Sequence, residues 1–351
     1  MSAFLAILVV LDVHFASNDD HRLGDIVMPF RLEGVPMTGT SRSVGNNYSQ
    51  PCYQGLYFGR PNTATNGTST HVHKAKPFYD GAERLMLDGT QRATAAGLLW
   101  AAERDLAPID PLTETFPDID VVDAYEIQLI NIRRLLAAGA RVRGHKVGLS
   151  SPVMQQMMGV DEPDYGHLLD TMVVAPGESI PAAEYCYPRI EVEIGYVLGS
   201  PLPGASCTEA DVLAATEYIV PSLELIDSRI KDWRIKLADT IADNASSAGV
   251  ILGEARRTPA ELAAEGIDLA NIDAVLYAGD AEVARGNTSA VLGNPTACVA
   301  WLARKVAEFG VKLEAGHLII PGSCTRAIDA RPGAAFRAEF AGLGTVTASF
   351  H

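Results

Sequence analysis

The sequence predicts an α+β protein in which a helical segment precedes a larger body that is rich in β-strands. Apolar residues recur at helical spacing before residue 141, and after it short apolar runs alternate with turn residues. The later strands do not alternate regularly with helices, which argues against a doubly wound α/β fold and favours α+β. We expect a helical segment over residues 86–140 and a β-rich catalytic domain over residues 141–351.

Residues 1–85 differ in composition from the rest of the chain. They are rich in Asn, Gly, Ser, Thr and Pro and lack a sustained helical or strand period, which predicts loop or disorder. The apolar run at residues 4–13 is interrupted by Asp12, is too short to span a bilayer and has no basic residue before it. We therefore expect a cytoplasmic protein that is not exported.

Charge and cysteine content exclude several classes of function. The 351 residues include 28 basic and 43 acidic side chains, a formal net charge of −15, so binding to nucleic acid or to an anionic membrane is disfavoured. The five cysteines are widely spaced and contain no CxxC pair, which argues against a disulfide framework or a thiolate zinc site. A bound divalent cation would still allow an anionic substrate.

Two helices are expected before residue 141. The first covers residues 88–105, and the second covers 118–140, where Gly139 closes it. The second helix has an apolar stripe at helical spacing, formed by Val122, Tyr125, Leu129, Ile132 and Leu136.

The body is predicted to contain eight strands and two helices. One helix follows Thr208 as its N-cap, and the other has Asn294 as N-cap and Pro295 at its first position. The strands are expected at residues 145–149, 189–198, 219–227, 274–279, 281–286, 317–322, 335–342 and 344–350.

Three glutamates in apolar strand-like runs form the strongest chemical pattern. Glu191 and Glu193 lie two residues apart in the run PRIEVEIGYVLG, so their side chains share one face of the strand, and Glu224 lies in the similar run PSLELID. An outward-facing edge strand would explain a lone pair of this kind. Charges rarely enter such runs unless they are paired or bind metal, and carboxylate oxygens alone favour Mg²⁺ or Mn²⁺ over zinc.

Five motifs in order resemble the 2-hydroxypentadienoate hydratase family, also called 2-keto-4-pentenoate hydratase, of the fumarylacetoacetate hydrolase superfamily. The resemblance runs from about residue 85 to residue 351. It implies a mixed β-sandwich or roll of the fumarylacetoacetate hydrolase C-terminal type. The motifs are GHKVGLSSPVMQQMMGVDEPDYGHLLD, PRIEVEIGYVL, PSLELIDSRIKDW, DTIADNASSAG and LIIPGSCTRAIDARPG.

The resemblance also implies site residues. It assigns Glu191, Glu193 and Glu224 to Mg²⁺ or Mn²⁺, the lysine of the KxGL motif to Lys146, and the serine of DNAS to Ser246. If Lys146 is partly buried, its pKa should fall toward the range useful for proton transfer. The complete expected set is Lys146, Ser246 and Asp164 as catalytic residues, and Arg189, Asp243, Asn244 and Ser323 as substrate-binding residues.

The family implies hydration of a 2-hydroxy-2,4-dienoate to a 4-hydroxy-2-oxo acid, in the meta-cleavage catabolism of aromatic or steroid rings. It also implies a homo-oligomer and a complex with a downstream aldolase or a sibling decarboxylase. Residues 1–85 have no counterpart in the family, which suggests a non-native extension and Met86 as the natural start.

Three alternatives stay open at this point. The first is 4-oxalocrotonate decarboxylation, although family decarboxylases carry an apolar residue where Asp164 stands. The second is hydrolysis of a carbon–carbon bond in an acylpyruvate, and the third is a non-catalytic partner subunit. Two departures from the family pattern, GNP at residues 293–295 and PGS at residues 321–323, bear on the length of the substrate tail.

Overall fold

The computed structural model describes residues 86–351, so the predictions made for residues 1–85 lie outside the described residues. Eight α-helices are found in this part of the chain: α1 (Gly89–Asp105), α2 (Leu112–Thr115), α3 (Val121–Ala137), α4 (Pro152–Met158), α5 (Glu209–Ala215), α6 (Leu237–Ala242), α7 (Pro259–Ala264) and α8 (Pro295–Ala307).

Twelve strands make up the rest of the regular structure between residues 86 and 351. They are β1 (Val142–Gly148), β2 (Asp164–Leu169), β3 (Ser179–Ile180), β4 (Arg189–Leu198), β5 (Thr216–Ile226), β6 (Ser247–Leu252), β7 (Asp273–Ala278), β8 (Ala281–Asn287), β9 (Leu318–Ile320), β10 (Ile328–Asp329), β11 (Ala335–Phe340) and β12 (Gly344–Phe350).

The strands form two mixed sheets. The larger has the order β2-β1-β9-β4-β5-β6, with β10 paired to the start of β4, and the smaller has the order β3-β12-β11-β7-β8. Most neighbours are antiparallel, while β1 with β9 and β12 with β3 are parallel. Strand β12 contacts β5 and β6, which joins the two sheets through a shared apolar core.

Local sequence signals determine where several helices begin. The side chains of Asp88 and Asp120 each accept a hydrogen bond from the backbone N–H three residues on. The side-chain oxygen at that later position accepts one from the backbone N–H of the aspartate, which completes a capping box. Thr208 caps α5 in the same way, and Asn294 caps α8 with Pro295 at its first position. The predicted α+β class is confirmed, with helices α1 to α3 preceding a sheet-rich body.

The body contains more helices than the two that the sequence pattern predicts. Helices α4, α6 and α7 are each only six or seven residues long, too short to show a clear helical period. The pattern also misses β2 and β6, and the two-residue strands β3 and β10. All six residues of β2 are buried, so no polar alternation marks it as a strand. Among residues 86–351, no helix combines the length and the apolar character needed to cross a membrane.

Candidate metal centre and active site

Strands β4 and β5 bring Glu191, Glu193 and Glu224 together. Glu191 lies directly opposite Glu224 across the antiparallel pair, and Glu193 follows two residues later on the same face. One carboxylate oxygen from each residue lies within 4.8 Å of the others. Glu193 and Glu224 are 1% and 0% exposed, so these are not the outward charges of an edge strand.

The carboxylate cluster has oxygens that the protein leaves unpartnered. Glu193 Oε2 accepts a hydrogen bond of 2.7 Å from the backbone N–H of Gly322. Its other oxygen, and both oxygens of Glu224, accept no hydrogen bond from residues 86–351. Burial, together with the charges of Glu224 and Glu191, raises the pKa of Glu193 well above its ordinary value. Converging buried carboxylate oxygens with so few hydrogen-bond donors fit a hard divalent cation, which prefers oxygen ligands.

Lys146 on β1 reaches across the sheet to this cluster. Its Nζ lies 3.3 Å from Glu224 Oε2 and donates a hydrogen bond of 2.9 Å to the carbonyl of Ala245. Burial acts to lower the pKa of Lys146, but the charges of Glu224, Glu191 and other carboxylates outweigh it and raise the pKa above its ordinary value. The expectation of a lowered lysine pKa is therefore wrong, because it considered burial without the surrounding charges.

Asp164 opens β2 beside this lysine. It pairs with Gly148 on β1, where a side chain would collide with the Asp164 carboxylate. Asp164 is 1% exposed, and neither of its oxygens accepts a hydrogen bond within the described region. Burial raises the pKa of Asp164, while the charge of Lys146 acts in the opposite direction. The carboxyl group is thus buried near Lys146, and the neighbouring Thr240 hydroxyl also acts to lower its pKa.

The motif DNAS forms a strained turn between α6 and β6. Asn244, Ala245 and Ser246 all adopt left-handed backbone conformations, with φ of 54°, 51° and 56°. The Asn244 side chain secures the turn, since its Oδ1 accepts from the His167 N–H at 2.8 Å and its Nδ2 donates to the His167 carbonyl at 2.9 Å. The turn presents the Ala245 carbonyl to Lys146, and the buried Ser246 hydroxyl has no partner among residues 86–351.

Asp243 and Ser323, expected to bind substrate, are occupied by contacts within the protein. The carboxylate of Asp243 accepts from both the side chain and the backbone N–H of Arg229. The Ser323 hydroxyl accepts from the N–H of Val192 at 3.2 Å and donates to the Thr325 carbonyl at 3.0 Å. Val192 lies between Glu191 and Glu193, so Ser323 supports the strand that carries them.

Arg189 and Asn294 make their side-chain contacts to residues outside the carboxylate cluster. Arg189 shares the face of β4 with Glu191, and its Nε donates to Asp329 while its guanidinium stacks on Trp233. Asn294 instead caps α8 and donates its side-chain amide to Glu209 on the exposed surface. The GNP departure therefore does not contact the cluster, whereas the PGS departure does, through Gly322.

The sequence did not predict the buried hydrogen bonds by which Gln128 of α3 holds β2 in place. Gln128 on α3 donates to the carbonyls of Tyr165 and Ile241, so its oxygen is left to accept from His167 Nδ1 at 3.0 Å. Burial lowers the pKa of His167 to about 4, which keeps the ring neutral. The only sequence signal was a glutamine on a helix, with no local pattern to connect it to β2.

This chain is similar in sequence to a known protein family and to several named enzymes. Residues 145–351 match the family model described as fumarylacetoacetate (FAA) hydrolase C-terminal. The 2-keto-4-pentenoate hydratase of Paraburkholderia xenovorans (strain LB400) is 43% identical over 260 residues, which cover 74% of this chain and 95% of that protein. The 2-oxo-hept-4-ene-1,7-dioate hydratase of Escherichia coli is 40% identical over 271 residues, covering 76% of this chain and all of that protein.

A solved structure is also similar over most of its length. The 4-oxalocrotonate decarboxylase from Pseudomonas putida G7, complexed with magnesium and adipate, superposes with a TM-score of 0.71 at 35% identity and covers 76% of this chain and 99% of that one. Together these matches show that the chain belongs to the 2-keto-4-pentenoate hydratase family of the fumarylacetoacetate hydrolase superfamily.

Proposed function

We propose that this protein is a metal-dependent hydro-lyase that adds water to a 2-hydroxy-2,4-dienoate and produces a 4-hydroxy-2-oxo acid. The observation that carries the proposal is the cluster of Glu191, Glu193 and Glu224, buried beside Lys146 and Asp164. Relatives at 40–43% identity that are named hydratases support the reaction class.

The three glutamates would hold a divalent cation, Mg²⁺ or Mn²⁺. Their donor set consists of oxygen only, and several of these oxygens have no other partner in the described part of the chain. A magnesium complex of a decarboxylase relative at 35% identity supports this class of ion. When bound, the cation would supply Lewis-acid stabilisation of the negative charge that develops on the substrate.

The protein's own residues divide the remaining tasks. Lys146 is fixed between Glu224 and the Ala245 carbonyl, where its ammonium group would bind the acidic end of the substrate and hold it against the cluster. The preorganised positive charge would also stabilise the enolate that forms when the enol O–H is deprotonated.

Asp164 and Ser246 are the two groups to which we assign proton transfer and orientation of the water, respectively. Both are buried and lack partners among the described residues. We assign Asp164 to proton transfer, in which the enol O–H is lost and C5 of the dienoate gains a proton. Ser246 would orient the water, whose hydroxyl then adds at C4 while C3 gains a proton, so the net reaction consumes one water.

A second candidate is 4-oxalocrotonate decarboxylation, which the similarity to the decarboxylase structure supports. There, a cation held by the same three glutamates would stabilise the negative charge left after loss of carbon dioxide. Incubation with both substrates separates the two. Hydration of the dienoate without carbon dioxide release supports our proposal, and the reverse result replaces it.

The direct test combines turnover with metal binding. We expect hydration of 2-hydroxypenta-2,4-dienoate to stop on addition of a chelator and to return with Mg²⁺ or Mn²⁺. Glu193→Gln should lose stoichiometric Mg²⁺ binding in calorimetry, together with activity. Glu217→Gln, on an exposed position of β5, is the matched control. Metal-independent turnover, or a Glu193→Gln variant that binds and reacts normally, would contradict the proposal.

The broader setting is proposed on the same basis. The reaction fits meta-cleavage catabolism of aromatic or steroid rings in the cytoplasm, by a homo-oligomer that associates with a downstream aldolase or a sibling decarboxylase. Sedimentation of the purified chain, alone and with such a partner, tests the assembly.

A further inference from the structure

A cavity of about 500 Å³ lies at the start of β4. Its lining includes the side chains of Arg189, Trp233, Asp329 and Arg331, and the aromatic residue Tyr187. The proposed reaction assigns no role to this space. Because it is lined by polar and aromatic residues, and because Arg189 in its lining lies two residues before Glu191 on β4, it is the candidate position for the part of the substrate that does not react.

The cavity lies along the strand face that carries the glutamates. Arg189, Glu191 and Glu193 are spaced two apart on β4 and so share one face. Along this face Glu193 is buried, whereas Glu191 and Arg189 are partly exposed, which indicates that the cluster opens toward Arg189. Two residues of extended strand cover about 7 Å, a distance that a short carbon chain can span.

The guanidinium of Arg189 is held in place with its terminal groups available. Its Nε donates to Asp329 Oδ1 at 3.1 Å, and the group stacks on the Trp233 ring at 4.4 Å. Its two terminal nitrogens make no hydrogen bond to any residue from 86 to 351. An arginine fixed in this way presents parallel N–H donors that match a carboxylate.

Charge in the cavity is divided between two arginines and two aspartates. Asp329 lies between Arg189 and Arg331, whose Nη2 is 3.7 Å from it, and Asp232 also lines the space. Because the charges balance, the cavity has no strong overall field. Selection of an anion would therefore depend on the orientation of the Arg189 guanidinium, which Trp233 and Asp329 set.

We propose that Arg189 binds a carboxylate at the far end of the substrate, so that the preferred substrate is a 2-hydroxydienoate with a second carboxylate on its tail. This inference rests on the proposed function, because it places the reacting end of the substrate at the glutamates. Trp233 and Asp329 act as positioning residues for Arg189.

Binding of unreactive 2-oxo acids tests the proposal without turnover. We would titrate the Mg²⁺-saturated protein with 2-oxoadipate and 2-oxopimelate, and with their methyl-terminated counterparts 2-oxohexanoate and 2-oxoheptanoate. A charge-assisted pair predicts that at least one dicarboxylate binds about tenfold or more tightly than its counterpart. Arg189→Gln should abolish that preference, and Arg285→Gln, on an exposed strand position, should retain it.

The outcomes separate this inference from the proposed function. Equal affinities in the wild type, or a preference that persists in Arg189→Gln, would overturn the role of Arg189 while leaving hydration of dienoates intact. A dicarboxylate preference in a protein that hydrates no dienoate would support the role of Arg189 and remove the hydratase proposal. Failure of every 2-oxo acid to bind the Mg²⁺-saturated protein would overturn both.

Discussion

Replacing Asn244 by alanine should damage both stability and turnover, because this side chain holds the strained turn of residues 244–246. The change removes hydrogen bonds of 2.8 and 2.9 Å to the backbone of His167. Each bond contributes about 0.5–1.5 kcal/mol net, and alanine tolerates a left-handed backbone less well than asparagine by about 1 kcal/mol. We therefore expect unfolding in urea to show a loss of about 2–4 kcal/mol.

The same substitution should affect the reaction more than metal binding. The turn presents the Ala245 carbonyl, to which Lys146 donates, so a relaxed turn would displace the lysine and leave in place strands β4 and β5, which carry the glutamates. We expect kcat to fall by about 10- to 100-fold, a scale typical of misplaced catalytic groups, while Mg²⁺ affinity measured by calorimetry changes little.

Two further variants make the Asn244 experiment decisive. Asn244→Asp keeps the acceptor for the His167 N–H and tolerates the left-handed turn, so part of the stability should return. Asn271→Ala removes a surface side chain whose one hydrogen bond within residues 86–351 is accepted from Asn287, and should lose less than about 1 kcal/mol. If Asn244→Ala unfolds like the wild type and keeps its kcat, the turn does not depend on this side chain and the reasoning fails.

Three other predictions concern charge, packing and pH. Lys146→Met leaves Glu224 without its buried cation, so the metal-free protein should lose about 3–5 kcal/mol of unfolding free energy in urea. Lys231→Met, which breaks an exposed pair with Asp110, should lose less than about 1 kcal/mol, and equal losses would contradict this prediction. Gly322→Ala places a methyl group against Ser150 at a backbone φ of 120°, so it should lower both Tm and Mg²⁺ affinity. Gly333→Ala, at a φ of 82° where the added methyl group meets open space, should lower Tm less and leave Mg²⁺ affinity unchanged. The pKa of His167 is about 4 in the folded protein against an ordinary 6.5, so the unfolded state binds more protons between these pH values. This group alone should lower stability by up to about 3 kcal/mol as pH drops from 6.5 to 4. His167→Gln should make the dependence shallower and leave the part due to the buried His145, whose pKa is also lowered, whereas His351→Gln should not change it.

Local signals in the sequence were enough for much of the fold. Strand β4 occurs at the predicted residues 189–198 and β12 at residues 344–350, because apolar alternation and adjacent turns are properties of neighbouring residues. The caps of α5 and α8 were found for the same reason, since Thr208 and Asn294 act on backbone groups two or three residues away. Strand β2 was missed, because its burial comes from strands and helices distant in the sequence.

For the site, the sequence determined the residue types and the tertiary structure decided what each one does. Spacing alone placed Glu191 and Glu193 on one face, since the strand period is local. Only the pairing of β4 with β5 put Glu224 opposite Glu191, and only the charges converging from the three strands β2, β4 and β5 raised rather than lowered the pKa of Lys146. Hydrogen bonding and electrostatic interaction depend on distance in space, so residues far apart in the chain determine the chemistry of a group that local sequence can only identify.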